Sequence, residues 1–257
     1  MRVFVTGATG FIGQAVVQEL LGSGHKVVGL ARSEKSTTAL KAKGAEVIRG
    51  SIEDLECLRR GALECDGVIN LAFNHDFTKY EDNIKAEHAA VKTIGAALVG
   101  TNKPFVITLG TLVLPKGSLA AEDASINLED PLNARAICKG LNRWPAVHRL
   151  DAARLFRLAI EKGTPGERYH AAAEEGIPFK AIAEAIGKDL EIPTVSISTE
   201  EAPVHFNGFL GSLVSVDNPS SSKRTQETLG WTPSESTLLH DIHSGIYKEG
   251  DSASISI

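Results

Sequence analysis

A turn with three glycines near the start of the chain restricts its fold more than any other feature. Residues 3–6 read Val-Phe-Val-Thr, a short apolar run of the kind that forms a buried parallel strand. The glycines follow at three-residue spacing, as Gly7, Gly10 and Gly13. A helix is predicted from Phe11, because apolar residues then recur at four-residue steps. These residues are Ile12, Val16 and Leu20. A strand, a glycine turn and an amphipathic helix in this order predict the start of a βαβ unit.

The alternation of strands and helices continues to residue 114. Four further strands are predicted, at 26–31, 46–49, 67–71 and 105–109. The helices between them are predicted at 36–43, 53–61 and 80–98. Strands that alternate with helices form a parallel sheet covered on both faces. The predicted fold class is therefore α/β, a Rossmann-type doubly wound parallel sheet with a smaller C-terminal lobe.

The domain organisation follows from where this regularity stops and returns. Residues 1–150 are predicted to form a dinucleotide-binding domain that is shortened around 115–145, where Gly, Ser, Ala, Asp, Asn and Pro dominate. Helical apolar stripes return from Asp151, so 151–250 are predicted to form a helix and a smaller substrate lobe. Residues 251–257 form a polar tail that we expect to fray.

Charge and composition exclude several classes of protein. Lysine and arginine total 27 against 32 acidic residues, and no basic stripe is visible, so we expect no nucleic-acid partner. No apolar run approaches the length of a membrane span, so we expect no membrane partner either. The three cysteines fit neither a disulfide framework nor a metal site, which predicts reduced thiols and a cytoplasmic protein. The expected partners are a small-molecule substrate and a second copy of the chain in a homodimer.

The spacing of the glycines has a chemical reason. A pyrophosphate is bulky and doubly charged, so backbone N–H groups can bind it only where side chains do not intervene. The free N–H groups and the positive end of the dipole at the helix N-terminus also favour phosphate there. The residues predicted to bind the dinucleotide through this turn are Gly7, Thr9, Gly10, Phe11, Ile12 and Gly13. A glycine-rich turn without a ligand is the alternative, and the strand–turn–helix context argues against it.

Three segments resemble one family, the extended short-chain dehydrogenase/reductases, or NAD-dependent epimerase/dehydratase family. The segment Val5-Thr6-Gly7-Ala8-Thr9-Gly10-Phe11-Ile12-Gly13 resembles its first motif. The segment Ala146-Val147-His148-Arg149-Leu150-Asp151-Ala152-Ala153 resembles its V-H-V-D-D-x-A segment, and Leu229-Gly230-Trp231-Thr232-Pro233 its L-G-W-x-P. The resemblance implies an NAD(P)-dependent oxidoreductase, epimerase or dehydratase that acts on a small-molecule carbonyl or secondary alcohol. Natural-product biosynthesis is one family-level role.

The end of the second strand bears on the choice of cofactor. NAD-specific sites place an acidic residue there, to bind the ribose hydroxyls. This chain has Arg32 and Ser33 instead, which could bind a 2′-phosphate. We therefore expect NADP(H) to be favoured over NAD(H), and the alternative for Arg32 is a solvated surface side chain.

The resemblance also suggests where the rest of the dinucleotide lies. It implies that the adenine rests near Ser51 and Ile52, after the third strand. The wall after the fourth strand would be formed by Leu71, Ala72 and Phe73. Core packing explains Leu71 and Phe73 equally well.

The catalytic pair that the family implies is missing. Its Tyr-x-x-x-Lys places a tyrosine for proton transfer and a lysine that lowers the tyrosine pKa. Four residues after the three tyrosines, Tyr80, Tyr169 and Tyr247, the chain has Ile84, Ala173 and Asp251. Val113 and Val147 are only 34 positions apart, and around 136–140 the sequence reads as if two distant family segments had been joined.

Four polar residues remain as candidates for contact with the cofactor or the substrate. Thr108 and Thr111 lie at the end of the fifth strand, in the family's Ser/Thr region. Thr108 is assigned to the cofactor and Thr111 to orienting the substrate. A β-branched strand residue is the alternative for Thr111. His75 and Asp76 follow the fourth strand, at the sheet edge where ligands bind, and could face the substrate.

Three explanations of the missing pair stay open. The gene product has lost a segment, the protein is a non-catalytic NADP(H)-binding regulator, or it uses other residues. The sequence does not choose among them.

Overall fold

The computed structural model describes residues 1–76, 79–125, 142–198, 201–206, 211 and 214–247. The chain divides into two units, residues 1–108 with 152–167, and residues 109–151 with 168–250. The predicted tail, 251–257, and the junction at 136–140 lie outside the described residues. The domain boundary at residue 150 stays a prediction.

A five-stranded parallel sheet forms the centre of the first unit, which confirms the predicted fold class. Its strands are β1 (Arg2–Thr6), β2 (Lys26–Ala31), β3 (Glu46–Arg49), β4 (Gly67–Asn70) and β5 (Phe105–Ile107). Their order across the sheet is β3-β2-β1-β4-β5, and all neighbours run parallel. The chain leaves β1 for β2 on one side and returns to β4 on the other. The strand order therefore reverses beside β1, and ligands of such sheets bind at the carboxyl ends of the strands at this point.

Four helices cover the sheet of the first unit, together with much of a fifth. They are α1 (Phe11–Gly22), α2 (Glu34–Ala42), α3 (Leu55–Glu64) and α4 (Tyr80–Leu98), followed later by α5 (Arg149–Lys162). Side chains alternate along β1, so Val3 and Val5 enter one apolar cluster with Leu20, while Phe4 enters the other with Ile94. Among the described residues no helix is long and apolar enough to span a membrane.

Side-chain caps explain two differences from the predicted helix bounds. The helix predicted at 36–43 begins at Glu34, because the Ser33 side chain accepts a hydrogen bond from the backbone N of Ser36. The helix predicted at 53–61 begins at Leu55, because Asp54 caps it in the same way. Both caps are visible in the sequence. The first predicted start lies after its cap and the second before it, because neither start was placed by the capping residue.

The second unit has a two-stranded antiparallel sheet and short helices. The strands are β6 (Arg143–Ala146) and β7 (Glu174–Pro178), and a 3₁₀ turn covers Thr111–Val113. The helices are α6 (Phe179–Asp189), α7 (Ala202–His205), α8 (Lys223–Leu229) and α9 (Leu238–His243). Residues 115–145 predict no strand, yet β6 begins within them. Four residues that include a proline carry no periodic signal, and β6 forms through its long-range pairing with β7.

Two of the motifs that carry the family resemblance meet inside the second unit. The Trp231 side chain is buried, and its Nε1 donates to the carbonyl of Asp151 at 2.9 Å. The Asp151 carboxylate accepts from the backbone N of Ser234 at 2.9 Å and of Glu235 at 3.0 Å. Gly230 follows α8 with φ +65, which favours glycine. These motif residues therefore hold the end of α8 against the start of α5.

Candidate functional site

The glycine turn has the geometry of a phosphate loop. Gly7 lies directly after β1 with φ +64, in the left-handed region that favours glycine. The Gly10 backbone N donates to the Gly7 carbonyl at 2.9 Å, which closes the turn before α1 begins. The predicted strand, turn and helix are therefore confirmed as local structure.

The three glycines differ in what a side chain would meet. A Cβ on Gly7 would lie 2.8 Å from the backbone N of Ala72, and a Cβ on Gly13 would lie 2.0 Å from the Gly7 carbonyl oxygen. A Cβ on Gly10 would meet only that same oxygen, at 3.2 Å. Gly7 and Gly13 are therefore required by the protein's own packing. Gly10 keeps open a space beside the turn that a Cβ would fill.

The N-terminus of α1 is suited to an anion. Gly10 is its N-cap residue and no side chain caps the helix, while the first turn carries no acidic residue. The Gln14 side chain instead bonds the carbonyl of Thr9, at 3.1 Å, which fixes the preceding loop. Phe11 and Ile12 are partly exposed at this end. The turn, its open space and the uncapped helix end fit the pyrophosphate of a dinucleotide.

Hydrogen bonds through Thr6 and Asn70 tie the carboxyl ends of three strands together. The Thr6 hydroxyl, fully buried at the end of β1, donates to the Asn70 side chain at 2.7 Å. It also accepts from the backbone N of Leu71 and of Ala72, at 3.2 Å each. The Thr108 hydroxyl donates to the Asn70 carbonyl at 3.1 Å. Sequence analysis missed Thr6 and Asn70 as site residues, although polar residues at the ends of buried strands are a usable signal.

The ribose end of the predicted site has an exposed cation, Arg32. Arg32 directly follows β2, is exposed, and has no hydrogen bond or ion pair with any residue that the structure describes. Ser33, predicted beside it as a phosphate ligand, uses its hydroxyl to cap α2. The nearest following carboxylate, on Glu34, pairs with Arg49 at 3.0 Å. The 2′-phosphate role of Arg32 and Ser33 stays a prediction.

The predicted adenine region is a loop held by the cap of α3. Ser51 and Ile52 are half-buried, and the Ser51 hydroxyl accepts from the backbone N of Glu53 at 3.3 Å. Asp54, the N-cap residue of α3, accepts a hydrogen bond from the Cys57 thiol, and this bond lowers the pKa of Asp54 from its usual value. The same bond raises the pKa of the Cys57 thiol. This loop is therefore ordered by its own contacts.

The segment after β4 brings the other predicted residues to the same sheet edge. Leu71, Ala72 and Phe73 are half-buried, and Leu71 packs against the apolar cluster that contains Val3 and Val5. His75 and Asp76 are exposed, and the His75 ring stands edge-on to Phe73 with centroids 5.2 Å apart. The roles of all five residues stay predictions.

Thr111 belongs to the second unit and has a partner that sequence analysis missed. Its hydroxyl accepts from the side-chain amide of Asn218 at 2.8 Å, so its own proton is free to point elsewhere. Asn218 is buried, and its amide oxygen has no hydrogen-bond partner among the described residues. The predicted role of Thr111 in orienting a substrate stays untested.

Comparisons with known proteins agree with this geometry. A model of the NAD dependent epimerase/dehydratase family matches residues 3–112. An uncharacterized protein of Schizosaccharomyces pombe is 43% identical, over 96% of this chain and 100% of its own length. One of Saccharomyces cerevisiae is 40% identical, over 94% and 98%.

Two solved structures share the fold over nearly the whole chain. A nucleoside-diphosphate-sugar epimerase from Pseudomonas aeruginosa has a TM-score of 0.74 at 17% identity and covers 96% of each chain. A dTDP-glucose 4,6-dehydratase from Bacillus anthracis, in complex with NAD, has a TM-score of 0.72 at 15% identity and covers 99% of this chain and 98% of its own.

The two fungal alignments are longer than this chain. The first spans 295 positions but only 96% of the 257 residues here, about 247, so about 48 positions have no residue in this chain. The second spans 293 positions and 94% of the chain, about 242 residues, which leaves about 51. The relatives therefore carry internal sequence of this length that the chain lacks.

Proposed function

Because the chain belongs to the NAD dependent epimerase/dehydratase family, we propose that it binds NADP(H) at the glycine turn and acts on a small-molecule carbonyl or secondary alcohol. The observation that carries the proposal is the space left open beside Gly10 at the uncapped end of α1. A bound nicotinamide would supply a hydride donor or acceptor. The backbone of residues 7–13 would hold the pyrophosphate, and the half-buried residues 71–73 would border the dinucleotide.

The preference for NADP(H) rests on Arg32. An exposed guanidinium without a described partner, at the end of β2, is suited to a 2′-phosphate. The test is a calorimetric titration of NADPH and NADH into the wild type, Arg32→Ala and Lys35→Ala, a neighbouring exposed cation that serves as the control. A charge-assisted contact contributes about 1.5–3 kcal/mol, so NADPH should bind about tenfold tighter or more, and only Arg32→Ala should remove the difference. Equal affinities in the wild type would refute the phosphate role.

We further propose that this chain is a weak hydride-transfer catalyst. A reductase must protonate the substrate oxygen, and general acid catalysis contributes about 10²–10⁴-fold. The Tyr-x-x-x-Lys pair is absent from the whole sequence, and Thr111 alone is too weak an acid to replace it. His75, which follows β4, is the alternative proton donor. The positions that the relatives have in addition would fall between Val113 and Val147.

The second candidate function is an NADP(H)-binding regulator without catalysis, and the missing pair favours it. NADPH oxidation with a panel of ketones and aldehydes separates the two functions. One protein is the 257-residue chain. In the other, the segment between Val113 and Val147 is replaced by the corresponding segment of the Schizosaccharomyces pombe relative. Turnover only by the second supports loss of a catalytic segment, and turnover by neither supports the regulator. Robust turnover by the short chain, abolished by His75→Ala, would show a different proton donor.

The proposal also covers the cellular location, the biosynthetic role and the oligomeric state of the protein. Free thiols at Cys57 and Cys65 support a cytoplasmic protein, and natural-product biosynthesis is a family-level proposal. The homodimer is tested by light scattering after size-exclusion chromatography. A monomer at micromolar concentration would contradict the proposed homodimer.

A further inference from the structure

A cavity in the second unit lies outside the predicted cofactor residues. Its volume is about 460 Å³, within the range of about 300–1,000 Å³ usual for small-molecule sites. One wall is helix α6, a second is the extended segment 194–198, and the others come from α7 and residues 214–215. All of these elements belong to the same unit.

Specific contacts hold the walls of the cavity in place. Gly187 of α6 lets residues 192–194 approach closely, since a Cβ there would lie 2.4 Å from the Thr194 hydroxyl. The Ile192 backbone N donates to the Gly187 carbonyl at 2.9 Å. At the opposite wall, the Asn142 side chain donates to the carbonyl of Val214 at 2.8 Å. The cavity is therefore built by packing and hydrogen bonds.

The lining is apolar with interspersed hydroxyls. Its apolar side chains include Phe179, Ala183, Val195, Ile197 and Val214. The hydroxyls are those of Thr194, Ser196, Ser198 and Ser215. Such a surface binds the body of an apolar molecule and can orient one or two polar groups on it.

The charges of the lining argue against a nucleotide sugar. Among the described residues around the cavity the fixed cation is Lys180, which lies 3.6 Å from Glu184 on the same helix, and both side chains are exposed. No arginine is among them. A diphosphate carries at least two negative charges, which proteins bind with guanidinium groups, ammonium groups or helix N-termini. Among the described lining residues, Lys180 is paired with Glu184, and His205 is the other basic side chain. At the start of α6, the Phe179 backbone N already donates to the Asn142 carbonyl at 2.8 Å.

The geometry points to an uncharged, largely apolar organic molecule with a carbonyl or hydroxyl group as the occupant of this cavity. Taking that molecule to be the substrate rests on the proposed function. The selectivity of the cavity for neutral over phosphorylated ligands does not rest on the proposed function. The ligand preference of the cavity and the proposed function can therefore fail separately.

The test uses Prodan, an uncharged naphthyl ketone whose emission shifts to the blue in an apolar site. The full chain is titrated without cofactor, and UDP is then added as an anionic competitor. We expect saturable binding that UDP does not reverse. Displacement of Prodan by UDP, or absence of saturable binding, would overturn the inference.

Substitutions locate the bound probe. Ala183→Phe fills the cavity and should weaken Prodan binding about tenfold or more, because apolar burial is lost. Ala181→Phe, on the same helix but outside the lining, is the matched control and should leave binding unchanged. Should Ala183→Phe fail to fold, Val195→Asp keeps the test open, because Val195 is 71% exposed and the fold tolerates a charge there. Unchanged Prodan affinity in both variants would refute the assignment.

The experiment distinguishes this inference from the proposed function. Gly10→Val, which blocks the glycine turn, should leave Prodan binding unchanged. If the chain binds NADPH but not Prodan, only the inference about the cavity ligand is overturned. Prodan binding without NADPH binding overturns the cofactor site alone.

Discussion

Alanine substitutions at Gly10 and Gly13 should have opposite consequences, although both residues belong to one turn. A glycine-to-alanine change inside a helix ordinarily stabilises it by about 1 kcal/mol. At Gly13 the new Cβ would lie 2.0 Å from the Gly7 carbonyl oxygen, far below the 3.0 Å that real Cβ atoms respect. Helix α1 would have to move away from the turn. Such overpacking costs about 1–3 kcal/mol or more, so Gly13→Ala should destabilise the protein despite the better helix propensity.

Gly10→Ala should fold normally and bind cofactor poorly. Its backbone, at φ −71 and ψ 174, suits any residue, and its single close contact of 3.2 Å needs a shift of only tenths of an ångström. We expect its free energy of unfolding to stay within about 1 kcal/mol of the wild type. The methyl group would occupy the space proposed for the pyrophosphate. Losing one charge-assisted bond there costs about 1.5–3 kcal/mol, so NADPH affinity should fall about tenfold or more.

Urea denaturation followed by circular dichroism gives the stability of both variants, and calorimetry gives the NADPH affinity of the folded one. A Gly13→Ala variant as stable as the wild type would refute the packing role of Gly13. Unchanged NADPH affinity in folded Gly10→Ala would refute the proposed pyrophosphate space beside Gly10.

Three further outcomes follow from other contacts. Asp151→Ala removes the acceptor of two backbone N–H groups at 234–235, so urea denaturation should show a loss of about 2–4 kcal/mol, and a loss below about 1 would contradict that role. The hydrogen bond from Arg143 lowers the pKa of Asp217, so this carboxylate stabilises the fold above its unfolded pKa and ceases to do so as pH falls through its folded pKa. Thermal melts from pH 6 to pH 2 should therefore show a shallower acid loss in Asp217→Asn, and identical slopes would refute the linkage. Burial raises the pKa of Cys65 to about 11, so iodoacetamide at pH 8 should label it only after unfolding, as read by mass spectrometry, and labelling of the folded protein would contradict its burial.

Local patterns in the sequence were enough to predict the first unit. The glycine spacing and the apolar runs predicted β1, α1 and the alternating sheet, because each element there is encoded within a few residues. The ends of two strands were predicted too late, since the runs at 67–71 and 105–109 stop pairing at Asn70 and Ile107. Beyond those residues the backbone leaves the sheet. There the Leu71 backbone N donates to the Thr6 hydroxyl, and the Thr108 hydroxyl donates to the Asn70 carbonyl.

The second unit depends on contacts between distant residues, which a single sequence does not reveal. Asn218 meets Thr111 across 107 positions, and Asp151 meets Trp231 across 80. The motif residues were recognised by resemblance, but their structural purpose became clear only when the segments were seen together. The cavity of the second unit was not predicted for the same reason, because its walls are far apart along the chain.

The proposed function requires the chain to hold a phosphorylated nicotinamide dinucleotide at its glycine turn. The most direct measurement is calorimetric titration of NADPH into the purified 257-residue chain, with NADH in parallel. We expect saturable binding at one NADPH per chain, about tenfold tighter than NADH or more. Absence of saturable binding of either dinucleotide by the folded chain would contradict it.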